Sequence, residues 1–272
     1  MKNAVIKQLE QLMPEVSEKM RWSDGENVGN IPPNFQFAKV LSIKELSPIF
    51  LRVVLQGENF SAYSNKSIHF RLVLPPKDIE PVWPTIAANG STIWPQGSQS
   101  LHKPVYTTRF LDYKKNTITT DVYMHEGGKI TEWAQEVSEG SKKRNIVGII
   151  GPVGAGLIFS DKVFMATDET GFPAATRILE KLNKKTEGKI ILETKNGQLQ
   201  YPIKIPKSIN VQLLNRNKGE SLKNETLKVL KNYNNHTIWF AGEKKQANAV
   251  RDHVKKAGFD TKNLRISNFW TI

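Results

Sequence analysis

Apolar residues change their spacing along this chain, and each change predicts a different element. Over residues 3–20, Val5, Ile6, Leu9, Leu12, Met13 and Val16 recur at helical spacing, which predicts an amphipathic helix. Residues 21–34, RWSDGENVGNIPPN, are turn formers and read as a linker. From Phe35 the period falls to two. FQFAKVLSI, FLRVVLQG, SIHFRLVLP, VYTTRFLDY and TITTDVYMH are short β-rich runs bounded by Gly, Pro, Asn or Ser, with no long helix among them. Such regularity predicts an antiparallel barrel. One connection, Pro75 to Lys103, is rich in Pro, Gly and Ser and carries Trp83 and Trp94, so it reads as a binding loop or a mobile one.

After about Asp161 the style changes. KVFMAT, KIILET, INVQLL and TIWFAG are compact apolar strands that alternate with helical stretches at 172–185, 221–232 and 244–257. Strand–helix alternation predicts a parallel sheet with helices on its faces. Ligands of such sheets bind at the carboxyl ends of the strands, here TDETG, ETKNG, NRNKG and AGEKK. The division that follows is an N-terminal helix and linker over 1–34, a β-barrel domain over 35–159 and an α/β domain over 160–272.

Composition narrows the function. A chain of 272 residues, 39% apolar, is long enough for two cores. It has no cysteine, which removes disulfides, thiolate metal sites, iron–sulfur clusters and cysteine nucleophiles. The opening MKNAVIKQLEQLMPEV is interrupted by charge throughout, and the most apolar segment, 146–159, contains Pro152 and several glycines. Neither suits a leader or a membrane span, so a soluble cytoplasmic protein is expected. The charge of +13 calls for an anionic partner. Its basic residues are scattered, without a helix-turn-helix, zinc-finger or aromatic RNA-binding pattern, so nucleic acid is not expected. A phosphate-bearing cofactor with an anionic small substrate would use the same charge.

Among the motifs, GPVGAG at 151–156 lacks the Gly-Lys-Ser/Thr ending of a phosphate-binding loop, and His125-Glu126 has no second histidine at metal spacing. No protein-ligated metal is expected. In KPVYTTR, Tyr106 and Thr108 alternate with Val105, Thr107 and Arg109. That pattern fits an edge strand with a solvated arginine. It also fits a flavin site in which the tyrosine meets the ring system, the threonine its edge and the arginine the pyrophosphate. DVYMHEGGKITEWAQEV reads as a strand ending at His125, a Gly127-Gly128 turn and a helix containing Trp133, either an ordinary strand-turn-helix or an anion site at a helix N-terminus.

Taken in order, six motifs carry a resemblance: Tyr106-Thr107-x-Arg109; His125 with Gly128 and Trp133-Ala134; Gly151-Pro152-x-Gly154; Asp168-Glu169-Thr170 with Pro173-Ala174; Ala241-Gly242-Glu243; and Phe269-Trp270. Together the chain resembles the siderophore-interacting proteins, flavoproteins of the ferredoxin–NADP reductase superfamily that reduce ferric siderophores. The resemblance implies a six-stranded antiparallel FAD-binding barrel followed by a smaller parallel-sheet α/β domain that meets the electron donor. It implies ring contacts from Tyr106 and Thr107 and a pyrophosphate contact from Arg109. His125, Gly128, Ile130 and Thr131 would hold the rest of the dinucleotide, and Asp168, Thr170 and Trp270 complete the cofactor-binding set.

The implied chemistry resides on the flavin, so no catalytic side chain is expected. NADPH or NADH is the expected donor, with ferredoxin as an alternative suited to a basic surface. The expected substrate is an anionic ferric siderophore drawn by a basic mouth, with Arg71, Lys142, Lys143, Arg144, Lys255, Lys262 and Arg265 as candidates. A monomer without membrane insertion is expected. Two other functions fit the residues: a flavin reductase serving a protein partner, and a non-enzymatic binder of anionic ligands. Two departures stand out. Pro104 replaces the pattern's first arginine, with Lys103 beside it, and Gly171-Phe172 follow the Asp-Glu-Thr motif. The chain also stops two residues after Trp270, without the further C-terminal helix of some members.

Overall fold

The computed structural model describes residues 31–141, 144–158 and 160–271, so the expected helix at 3–20 lies outside the described residues. Two main sheets divide the rest. The first contains β1 (Phe35–Ser47), β2 (Phe50–Gly57), β3 (His69–Val73), β6 (Val105–Thr107), β7 (Phe110–Asp112), β8 (Thr117–Tyr123) and β9 (Ile146–Val153). They pair antiparallel in the order β6-β3-β9-β1-β2-β8-β7. The small hairpin β4 (Thr85–Ile86) and β5 (Thr92–Ile93) lies in the Pro75–Lys103 connection.

The expected six strands are seven because VYTTRFLDY is not one strand. Its first half pairs with β3 and its second with β8. The break falls at Thr108-Arg109, where the Thr108 amide donates to the Ile68 carbonyl at 2.8 Å and the next amide, Arg109, donates to Thr119 at 2.7 Å. Consecutive amides therefore bond opposite edges of the sheet. The two edge strands are halves of one run, so the sheet curls into a barrel at this corner. Inside, Val53, Leu55, Phe70, Leu72, Ile118 and Val147 form the core. Helix α1 (Lys129–Ser138) adds the fully buried Trp133, whose indole N–H donates to the Arg144 carbonyl at 3.0 Å.

The Pro75–Lys103 connection lies on the outer barrel face. Trp83 and Trp94 pack there against a cluster of Phe35, Val73, Leu101 and Ile150. The aromatic residues that marked the segment as a binding or mobile loop give it a core of its own.

The second sheet is parallel, in the order β12-β11-β10-β13-β14. Its strands are β10 (Lys162–Thr167), β11 (Glu187–Thr194), β12 (Ile209–Asn215), β13 (Thr237–Glu243) and β14 (Leu264–Trp270). Central strand β10 is buried from Val163 to Thr167, which is why its sequence reads as an unbroken apolar run rather than an alternation. Helix α2 (Phe172–Leu179) covers one face, and α3 (Leu222–Leu230) and α4 (Lys244–Lys256) cover the other. The expected helix over 172–185 stops early because Asn183 turns the chain, its side chain accepting from the Lys185 amide at 3.1 Å. Ser221 caps α3, and Glu243 caps α4 through the Lys245 and Gln246 amides. Among the described residues, no helix is long and apolar enough to cross a membrane.

One apolar cluster spans both sheets: Phe50 and Ile68 from the barrel meet Met165, Phe172, Tyr201 and Trp239. The parallel sheet tolerates little change where Gly188 stands opposite Val163. Gly188 has φ 148°, and a Cβ there would lie 1.8 Å from the Val163 carbonyl oxygen. Gly188→Ala should therefore cost about 3 kcal/mol or more, read as a lowered urea midpoint with unchanged slope.

Candidate functional site

Strand β6 ends at the rim of the barrel. Tyr106 stands opposite Phe70 and packs on the barrel core, while Thr107 stands opposite His69. Thr107 is buried, with its hydroxyl 3.4 Å from His69 Nδ1. Burial, then the nearby Arg177 guanidinium, hold the His69 ring neutral and push its pKa down to about 4. Burial pushes the Tyr106 phenol well above its ordinary value.

The start of α1 is a second element of the site. Its N-cap is Gly128, with no side-chain cap. A Cβ at Gly128 would stand 2.9 Å from His125 Cε1, so glycine here lets the imidazole fold over the helix start. The Thr131 hydroxyl donates to the His125 carbonyl at 3.3 Å. Ile130 is buried in the barrel core, so only its amide can meet a ligand. The first-turn amides have no side-chain acceptor and form a ready anion cradle. His102 escaped the sequence reading, and no motif marks it. It bridges to Leu74, and its pKa is lowered by burial and then by the Lys129 ammonium. His102 and Lys129 thus bring basic groups to the helix entrance near Pro104.

At the carboxyl ends of β10, β13 and β14, three of the sequence motifs converge on one carboxylate. Asp168 Oδ1 accepts from the Thr170 amide at 3.0 Å and its hydroxyl at 2.5 Å, and Oδ2 accepts from the Trp270 indole at 2.7 Å. Gly242 leaves the room required, since a Cβ there would lie 3.3 Å from Oδ2. Asp168 is 2% exposed, and burial raises its pKa to about 6. Trp270 remains 39% exposed, whereas Phe269 turns toward the barrel and meets the His69 ring edge-on at 5.5 Å. The C-terminal strand therefore touches both halves.

Arg109 does not stand free for a ligand. Its guanidinium is buried and forks onto Glu180, just beyond α2, at 2.8 and 2.5 Å. Nor do the expected substrate cations converge. Arg71 is exposed and lines an open groove of about 450 Å³ with Lys103, Trp94 and Thr92, the Lys103 ammonium lying 3.8 Å above the Trp94 ring. Arg144 is paired with Glu136 and donates to the Pro75 carbonyl at 3.2 Å. Lys255 ends α4, while Lys262 and Arg265 precede or begin β14. All three sit at the amino end of the parallel sheet; along β14 alone, Arg265 is about 17 Å from Trp270. Lys142 and Lys143 lie outside the described residues.

His69 and Asp168 have opposite effects on stability. The depressed His69 pKa contributes stability that is full above its ordinary 6.5 and lost as pH falls toward 4, up to about 3 kcal/mol. The raised Asp168 pKa contributes stability that is full below 3.8 and lost as pH rises through about 6. Between pH 4 and 6 the two partly cancel. Measured by denaturant unfolding across that window relative to wild type, Asp168→Asn should lose more stability on acidification, and His69→Asn should lose less.

The comparisons with known proteins match both halves. The family model described as siderophore-interacting FAD-binding domain matches residues 39–156, and that described as siderophore-interacting protein matches residues 160–272. The chain is 24% identical over 243 residues to the NADPH-dependent ferric-chelate reductase of Escherichia coli (strain K12), covering 87% of this chain and 92% of that protein. It is 28% identical over 186 residues to the ferric vibriobactin reductase ViuB of Vibrio cholerae, covering 65% of each. A siderophore utilization protein from T. fusca shares the fold with a TM-score of 0.69 at 21% identity, over 89% of this chain and 94% of that one. The ferredoxin reductase in carbazole 1,9a-dioxygenase does so with a TM-score of 0.60 at 12% identity, over 88% and 67%. With its barrel, its parallel sheet and the motifs at their meeting all accounted for, the chain belongs to the siderophore-interacting protein family.

Proposed function

We propose that this protein reduces ferric siderophores in the cytoplasm, as a monomer, passing electrons from a nicotinamide donor through FAD to iron. The reading rests chiefly on one observation: the Tyr106-Thr107 strand end meets the carboxyl end of the last parallel strand, since His69, beside Thr107, packs on Phe269. These residues fit FAD. The bare first-turn amides and the glycine beneath His125 suit a diphosphate, and a half-buried tyrosine with a buried threonine hydroxyl suits a planar ring with a polar edge. Tyr106 and Thr107 would hold the ring. His125, Gly128, Ile130 through its amide and Thr131 would hold the diphosphate, with Lys129 adding positive charge where Pro104 supplies none.

When bound, FAD accepts electrons as a pair and returns them singly, which matches a two-electron donor to a one-electron iron centre. The division into a barrel over 35–159 and an α/β domain over 160–272 then separates cofactor holding from donor binding. Thr170 and the Asp168–Trp270 pair stand where a nicotinamide would enter. NADPH is the donor favoured here, because the Escherichia coli relative is named for it. An acidic ferredoxin suits the same basic surface. The substrate is an anionic ferric chelate, attracted by the net charge of +13 and met by Arg71 and Lys103 in the groove beside Trp94. Reduction to Fe(II) weakens the iron's hold on hard anionic oxygens, so release follows.

Purified protein should be yellow, release FAD on denaturation, and give a ferrous signal from a ferric siderophore plus NADPH in the presence of a ferrous-specific dye. Bleaching of the flavin by NADPH without any ferrous signal would point to a flavin reductase serving another partner.

Arg71→Glu should raise KM for an anionic ferric siderophore about tenfold, and wild-type KM should climb with ionic strength as exposed charges are screened. A KM indifferent to both would remove the groove from the substrate path.

A further inference from the structure

The last arginine of the Tyr-Thr-x-Arg pattern is implied to meet the FAD diphosphate, yet its surroundings are those of a joint. Arg109 is 6% exposed. Both its terminal nitrogens donate to one carboxylate, Nη1 to Glu180 Oε2 at 2.8 Å and Nη2 to Oε1 at 2.5 Å. Its Nε is buried without a hydrogen-bond partner, 4.0 Å from Asp121 Oδ2. That oxygen is already held by the Tyr201 hydroxyl at 2.6 Å and by Arg52 at 2.8 Å. One residue earlier, the Thr108 carbonyl accepts from Arg177, whose other terminal nitrogen reaches Asn65 Oδ1 at 3.4 Å. Glu180, Arg177 and Tyr201 belong to the α/β half, and their partners belong to the barrel.

We propose that Arg109 is an interdomain positioning residue: its fork on Glu180, with the Arg177–Thr108 bond beside it, fixes α2 against the strand end that carries Tyr106 and Thr107. A diphosphate contact would require the buried Arg109 guanidinium to give up both bonds of its fork on Glu180 and turn out of its place beside Asp121. The geometry stands by itself, and its catalytic consequence rests on the proposed flavin reduction. Transfer between a donor on the parallel sheet and a cofactor on the barrel needs reacting atoms about 3–3.5 Å apart. A small rotation of one half against the other would open that distance.

The test uses the full chain with FAD bound and two substitutions. Glu180→Gln removes the charge from a side chain that is 35% exposed, so the variant should fold. Arg109→Lys keeps the charge and loses the fork. Both should retain FAD within about threefold of the wild-type dissociation constant. Both should slow bleaching of the flavin by NADPH about tenfold in stopped flow, and both should unfold in two calorimetric transitions where the wild type unfolds in one. Calorimetry on the apoprotein needs neither donor nor cofactor. If the wild type does not take FAD, the proposed function fails, while a split transition in the variants still supports the joint. A Glu180→Gln protein that unfolds in one transition and bleaches at the wild-type rate overturns the proposal. So does an Arg109→Lys protein that loses FAD tenfold while Glu180→Gln is silent, because Arg109 then serves the cofactor.

Discussion

The structure depends on a corner. An eight-residue run from Val105 to Asp112 has to serve both edges of the barrel-like sheet, and it does so by giving its first half to one neighbour and its second to another. Alternation along a straight strand cannot satisfy both edges, so the chain bends at Thr108-Arg109, where adjacent amides bond Ile68 and Thr119. The bend leaves the Thr108 carbonyl and the Arg109 guanidinium facing α2. The curl of the sheet, the strand stub carrying Tyr106 and Thr107, and the contact between halves are therefore one covalent segment. A change at the corner reaches all three.

The interface combines two kinds of force at this corner. The cluster of Phe50, Ile68, Phe172 and Tyr201 supplies burial that is non-directional and tolerant of sliding. The polar seam is directional, because a bidentate arginine fork has one good geometry. Buried ion pairs add little net stability when compared with well-packed apolar groups. Their contribution here lies in selecting one angle from the many that the apolar contact would accept.

The architecture was legible because each half announces its period. Alternation over β1, β2 and β8 gave the barrel, and the unbroken apolar β10 gave the parallel sheet. The seventh strand was hidden because composition does not show where a β run changes partner. Arg109 and Glu180 are 71 residues apart, and Asp168 and Trp270 are 102 apart, so neither pairing leaves a local trace. The motif residues were legible, Asp168 among them, but the pairing of Asp168 with Trp270 and the Glu180 carboxylate that holds Arg109 were not. The cations at the amino end of the parallel sheet are a different case. A helix following β13 in a parallel sheet runs back to the amino end, so the sequence already implied that Lys255 and the residues opening β14 lie away from the strands' carboxyl ends.

The interior also sharpens the meaning of the net charge. Asp121, Asp168, Glu169, Glu193 and Glu243 are all buried, and each is engaged inside the fold. Glu169 accepts from the Lys195 amide at 2.6 Å, Glu193 accepts from the Leu222 amide at 2.7 Å, and both accept from Arg216. Glu243 caps α4, Asp168 holds Trp270, and Asp121 joins Arg52 to Tyr201. Few lysines are sequestered in this way, because burying an ammonium without a partner is costly. The acids that lower the formal total to +13 are therefore partly withdrawn from the surface, and the exterior is more basic than composition suggests. A phosphorylated donor and an anionic chelate are both polyanions, and the same exterior field attracts them before any specific contact forms. Specificity must then come from fixed groups at the meeting of the two halves, which is the geometry that the corner at Thr108-Arg109 holds in place.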